Sequence, residues 1–139
     1  MTYFDTDVLI HFIYNQDETK HIDSIKLIEK SMVDNTFAIS WLNIQETGFV
    51  LSKLKQSNQF TTSKLNDLMT FSPLIYNKAT FIRAIELANQ IVFSDFNDCR
   101  NVEPLHVAIA EEFCTEIYTY NSRDFGRIQP LTSLTIHIL

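Results

Sequence analysis

Asp5, Glu46, Glu103 and Asp124 are spread along the chain, each in an apolar or turn-forming segment that gives little structural reason for a carboxylate. Tyr3-Phe4-Asp5-Thr6-Asp7-Val8-Leu9-Ile10 runs a short apolar strand into an acid, a hydroxyl, a second acid and then an apolar helix start. In open α/β sheets ligands settle at that strand-to-helix turn. Glu46 has Leu42, Phe49 and Val50 as its helical neighbours, so its carboxylate falls inside an apolar stripe and must be paired, protonated or bound to a cation. Glu103 precedes Pro104 at the head of a helix of small and apolar residues, and Asp124 follows the segment EIYTY by a turn.

Each acid also has a structural explanation. Asp5 is a favoured helix N-cap, a glutamate at the edge of a stripe snorkels to water, Glu103 suits the positive end of a helix, and a turn aspartate is ordinarily solvated. Asp95 and Asp98 compete with Glu103 for the third position. What favours chemistry is the joint placement, because acids at strand ends and helix starts converge on the C-terminal side of a parallel sheet. Oxygen donors gathered there suit Mg²⁺ or Mn²⁺, which activate water and offset the charge of an in-line phosphoryl displacement.

Other chemistries are disfavoured. Gly48 and Gly126 are the only glycines, so neither GxGxxG nor a Walker-type phosphate loop can be built. Cys99 and Cys114 form no CxxC pair, and His11, His21, His106 and His137 lack HExxH spacing; reduced core thiols are expected, and a zinc hydrolase is not. The formal net charge of −6 argues against nucleic-acid binding over the whole surface. It leaves a nuclease open, since bound divalent cations reverse the local sign where a phosphate approaches.

The elements that must position these residues read as strands alternating with helices. Strands are predicted at 2–5, 36–40, 73–76, 116–120 and 134–139. Helices are predicted at 7–14, capped by Thr6 or Asp5, and at 18–33, 41–55, 61–70, 79–93 and 104–114, with a polar loop over 94–102 and a short turn capped by Asn121-Ser122 around Asp124. Helix 18–33 is expected to bury Ile22, Ile25, Leu27, Ile28, Met32 and Val33. Helix 79–93 is expected to bury Phe81, Ile82, Ile85, Ala88, Ile91 and Val92. This alternation implies a parallel sheet covered on both faces, and 139 residues make one domain over 1–139. Residues 1–14 contain no Lys or Arg and their apolar run is broken by Asp5, Asp7 and His11, so neither a secretory signal nor a membrane span is expected. The expected location is cytoplasmic.

Phe4-Asp5-Thr6-Asp7-Val8-Leu9 is similar to an opening segment of the form DTNVL or DTDVL. Ile39-Ser40 through Gln45-Glu46 resembles a strand ending in serine followed by a helix that carries a glutamate. Glu103-Pro104-Leu105-His106-Val107-Ala108-Ile109-Ala110 is similar to a DALHAATA helix, and Thr119-Tyr120-Asn121-Ser122-Arg123-Asp124-Phe125 to a TxNxxDF closing motif. Across essentially the whole chain these segments resemble the PIN-domain ribonucleases, in particular the VapC-type toxins of bacterial toxin–antitoxin pairs. One departure stands out: the third acid is usually aspartate and here is Glu103.

The resemblance implies a three-layer α/β/α PIN-like fold with a central, mainly parallel sheet. It implies a metal-dependent endoribonuclease in which Asp5, Glu46, Glu103 and Asp124 hold Mg²⁺ or Mn²⁺ for attack on RNA phosphodiesters. Thr6 would be the hydroxyl partner of Asp5, and Asn121 a polar support. The partners implied are RNA, a small VapB-like antitoxin whose basic side chain enters the acidic pocket, and a second copy of the chain in a homodimer; no membrane is involved. Two alternatives stay open: a catalytically degenerate PIN-like binding module, motivated by Glu103, and a haloacid-dehalogenase-type phosphatase, since Asp5-Thr6-Asp7-Val8 also resembles that family's nucleophile and acid/base pair. The phosphatase would need a glycine after the second aspartate, where this chain has Val8.

Overall fold

The computed structural model describes residues 1–92 and 102–139. Asp95, Asp98, Cys99 and most of the loop predicted over 94–102 lie outside the described residues. The elements in chain order are β1 (Thr2–Phe4), α1 (Thr6–Ile13), α2 (Glu18–Val33), β2 (Phe37–Ala38), α3 (Trp41–Lys53), α4 (Asn58–Met69), α5 (Lys78–Val92), α6 (Glu103–Phe113), β3 (Glu116–Thr119), α7 (Ser122–Ile128) and β4 (Thr135–Ile138). The strands form one sheet in the order β2-β1-β3-β4, and every neighbouring pair is parallel. The first strand of the chain is therefore interior, flanked by β2 and β3.

Successive residues of a strand point to opposite faces, and the two cores follow that alternation. Tyr3, Ile117 and Ile136 face a cluster built with Ala84 and Leu87 of α5, Val107 to Ala110 of α6 and Phe125 and Ile128 of α7. Phe4 faces the other cluster, with Val8 and Leu9 of α1, Ile28 of α2, Ile44 of α3 and Leu68 of α4. Helices cover both faces, giving the α/β/α layering. An aromatic row crosses this second face, Phe37 on Phe4 on Tyr118 on His137, with ring centroids 5.5, 5.6 and 4.2 Å apart.

Helix ends are closed without glycine. α2 and α3 finish with Asn35 (φ 54°) and Lys55 (φ 57°) in the left-handed region. In each, the next amide reaches back into the last turn: Thr36 N–H donates to Ser31 O at 2.8 Å and Gln56 N–H to Leu51 O at 3.1 Å. Those paired bonds satisfy carbonyls that a helix end leaves orphaned.

Four expectations need correction. Residues 73–76 form no strand; a single parallel bridge joins Leu74 to Ser40, because Pro73 has no N–H to donate to a ladder. The segment around Asp124 is a seven-residue helix, α7, with Asn121 accepting the Asp124 amide as N-cap. On α5 the buried residues are Thr80, Ala84 and Leu87, whereas Phe81, Ile82 and Ile85 are about half exposed. The helix carries two apolar stripes, and only the one spaced at i, i+4, i+7 meets α6. On α2, likewise, Ile22 and Val33 are exposed while Ile28 is buried.

Candidate functional site

All the candidate residues stand at or beyond the C-terminal ends of the strands. Asp5 follows β1 directly, its amide donating to Tyr118 O of β3 at 3.0 Å. As N-cap of α1 it accepts the Thr6 amide on Oδ1 at 2.7 Å, and its Oδ2 accepts the Thr119 hydroxyl at 2.8 Å. Only 6% of Asp5 is exposed. The Thr119 hydroxyl also lies 3.3 Å from Asp7 Oδ2, which takes the Tyr120 amide at 3.0 Å.

Glu46 projects from α3 toward this point, and Ser40 starts that helix. Ser40 and Asn43 form a reciprocal capping box, a pattern that satisfies orphan amides at a helix start. Asn43 extends its Nδ2 to Phe4 O at 3.1 Å and to the Thr6 hydroxyl at 3.2 Å, tying α3 to the end of β1. Glu46 Oε2 accepts the Thr6 hydroxyl at 2.6 Å and pairs with His106 Nε2 at 2.6 Å. His106 Nε2 is also 3.6 Å from Asp5 Oδ1.

Glu103 opens α6. No side chain caps that helix at Val102, and Pro104 occupies its first turn, where a missing N–H costs nothing. Glu103 Oε1 accepts Asn121 Nδ2 at 3.0 Å, and the same amide reaches Asp124 Oδ2 at 2.9 Å. Among the described residues Glu103 Oε2 is buried with no hydrogen-bond partner, as is Asp7 Oδ1. Asp5, Glu46, Glu103, His106 and Asn121 line a single cleft of about 300 Å³. Asp124 is not part of its lining and joins the cluster through Asn121.

The electrostatics divide the acids into two kinds. Burial pushes Glu103 up to about 7, and the charges of Asp124 and Asp5 add to the rise. Asp7 is raised to about 7 by burial first and the charge of Asp5 second. Burial also raises Asp5, although His106, Thr119 and the Thr6 amide hold it back. Glu46 goes the other way: burial works against its charge, yet the hydrogen bond and charge of His106, with the Thr6 hydroxyl, bring it below the ordinary carboxylate value. His106 is driven down by burial, but its bond to Glu46 and the charges of Asp5, Glu46 and Glu103 leave it above the ordinary imidazole value. The two shifts agree on a part-buried His106–Glu46 ion pair.

The predicted acids are thus brought to one region: three line the cleft and the fourth stands one hydrogen bond behind. The hydroxyl assignments differ from expectation, since Thr6 serves Glu46 while Thr119 supplies the hydroxyl on Asp5. His106 is the residue that sequence reasoning passed over. Its signal was there, because residues three apart on a helix share a face, which puts His106 beside Glu103.

These features define a class. The chain matches the PIN domain family over residues 2–129 and belongs to it. Its fold is also that of two solved structures. A chain of the VapBC2 crystal structure from Rickettsia felis, bound to a DNA fragment from their promoter, superposes with a TM-score of 0.68 at 22% identity, covering 100% of this chain and 99% of that one. A chain of VapBC-1 from nontypeable Haemophilus influenzae gives a TM-score of 0.66 at 16% identity, covering 99% and 98%. Among curated proteins no sequence matches. Family membership and fold leave the phosphatase alternative without support.

Proposed function

We propose that this chain is a divalent-metal-dependent endoribonuclease, a cytoplasmic VapC-type toxin that cleaves RNA phosphodiesters and is restrained by a small VapB-like antitoxin. The observation that carries the reading is the convergence of Asp5, Glu46 and Glu103 on one cleft, with Glu103 Oε2 buried and unpartnered among the described residues. PIN-family membership and the VapBC fold neighbours support it. Among the described residues no helix is long and apolar enough to cross a membrane.

The donor chemistry fits Mg²⁺ or Mn²⁺, since the predicted ligands Asp5, Glu46, Glu103 and Asp124 offer only carboxylate oxygens. Buried polar atoms ordinarily have partners, and a hard cation would satisfy the oxygens of Glu103 and Asp7 that lack one. As placed, no three His, Cys, Asp or Glu groups among the described residues surround a single point, so side chains must turn to take an ion. When bound, such an ion supplies an activated water and positive charge against the phosphate. The chain's own part is positioning: the Thr6 amide and Thr119 fix Asp5, Thr6 and His106 fix Glu46, and the Asn121 amide holds Glu103 and Asp124 together. A homodimer belongs to this reading, supported by the exposed Phe81, Ile82 and Ile85 on α5.

Purified protein should cleave single-stranded RNA with Mg²⁺ or Mn²⁺, stop in excess EDTA and recover when the ion is returned. Asp5→Asn should be inactive under the same conditions. Undiminished cleavage by metal-stripped protein would overturn the metal-dependent reading. The second reading is a PIN-like binding module without catalysis, favoured by Glu103 standing in place of the usual third aspartate. RNA retention without cleavage under every metal condition would select it.

A further inference from the structure

A closed ring of side-chain hydrogen bonds lies behind the cleft, and proton counting fixes its direction. Asn43 has one possible amide orientation: Nδ2 must face the carbonyl of Phe4 at 3.1 Å, and Oδ1 must accept the Ser40 amide at 2.8 Å. Ser40 Oγ therefore donates its one proton to Asn43 Oδ1, at 3.0 Å. With that proton committed, Ser40 Oγ accepts from the Tyr3 hydroxyl at 2.6 Å. The Tyr3 oxygen in turn accepts at 2.9 Å from His106 Nδ1, which must carry hydrogen. On the other side Asn43 Nδ2 donates to Thr6 Oγ1, and Thr6 donates to Glu46 Oε2. His106 Nε2 closes the ring on the same Oε2.

Tyr3, Ser40 and Asn43 are each 0% exposed and His106 is 1% exposed. A buried network in which every donor and acceptor is matched is rigid, and removing one member leaves others unsatisfied. Both hydrogen bonds that reach Glu46 from the described residues end on Oε2, so the ring dictates where this carboxylate stands.

We propose that Tyr3 and His106 are positioning residues for Glu46: Tyr3 sets the ring orientation of His106, and His106 sets Glu46 for the cation. The inference rests on the metal-site reading given above. Neither residue touches the ion in this scheme; both act through Glu46. Partners that orient metal-binding side chains in this way typically cost about 10- to 100-fold in metal affinity when removed.

The test is a double-mutant cycle on the full chain, reading Mn²⁺ affinity by isothermal titration. Tyr3→Phe removes one hydroxyl from a buried ring and should weaken Mn²⁺ binding about tenfold, with cooperative unfolding retained. In a Glu46→Gln background the same substitution should change affinity less than about twofold, since the carboxylate it positions is gone. His106→Gln keeps a donor for Glu46 but loses the Tyr3 contact; it should match Tyr3→Phe, and it carries the test if Tyr3→Phe does not fold. Equal losses in both backgrounds, or an unchanged affinity in Tyr3→Phe and His106→Gln, would overturn the proposal. Wild-type protein that binds no Mn²⁺ would instead overturn the metal-site reading and the proposal with it.

Discussion

Glu103 combines a buried oxygen that has no partner among the described residues with a carboxyl raised to about 7, and this makes it the most informative single position. Glu103→Asp should keep or improve Mn²⁺ affinity by restoring the family's usual third acid. Glu103→Gln should weaken it about tenfold or more, because an amide has lost the anionic oxygen a hard cation prefers; calorimetry separates the two. Glu103 and Asp7 also govern stability against pH in metal-free protein. Their folded values, about 7, lie above the unfolded carboxylate range, so the folded state holds these protons more tightly. Their contribution is full below about pH 4 and is lost as pH rises through about 7. Glu46, Glu111 and Glu116, all lowered, act oppositely and withdraw stability as the solution turns strongly acid. The melting temperature without metal should therefore rise as pH falls from about 8 to about 5, and saturating Mg²⁺ should flatten that rise. A melting temperature that falls across this interval would contradict the burial assigned to both acids. At this scale Asp5, Glu46, Glu103 and Asp124 were legible in the sequence, because an acid in an apolar stripe or at a strand end stands out. The hydrogen bonds that orient them were not, since Tyr3, Ser40, Asn43 and Thr119 are ordinary residues until the fold brings them together.

Helix boundaries were readable to within a few residues because apolar spacing, caps and Pro104 agree on them. Which face each helix buries was less readable. α5 has apolar side chains on two stripes, and sequence spacing alone favours the bulkier Phe81, Ile82 and Ile85 over the Thr80, Ala84 and Leu87 that α6 selects by close approach. Pro73–Tyr76 shows the matching limit for strands, since the segment runs alongside the end of β2 yet pairs only through Leu74, Pro73 having no N–H to extend the ladder. The scarcity of glycine leads to a prediction at this scale. Lys55 is exposed and sits in the left-handed region where α3 ends, a conformation that costs a side-chain-bearing residue about 1–2 kcal/mol. Lys55→Gly relieves that strain and gives part of it back as unfolded-state entropy. The net gain should be about 0.5–1 kcal/mol, measured by urea denaturation with an unchanged slope.

For the whole molecule, parallel topology and layering followed from the alternation of strands and helices, whereas the interior place of β1 did not, because strand order is set by pairings far apart in sequence. The proposed partner can be tested at this scale. Four acids near one cleft attract a cation, and an Arg from a small antitoxin would supply one in bidentate geometry. Co-expression with an adjacent small gene should yield a stable complex whose RNA cleavage is suppressed, and whose dissociation restores it. Protein that copurifies with nothing and leaves cell growth untouched on expression would count against the toxin assignment. The interior place of β1 also bears on how the protein is made. The carboxylate of Asp5 is held by Thr119, a partner 114 positions later, and its backbone amide by Tyr118. A ribosome therefore releases the segment bearing Asp5 and Glu46 long before the chain that seats them has been translated, and contacts so distant in sequence form late. Whatever reaction the cleft performs, the growing polypeptide cannot perform it, and premature termination anywhere before Thr119 leaves a fragment whose acids are never assembled.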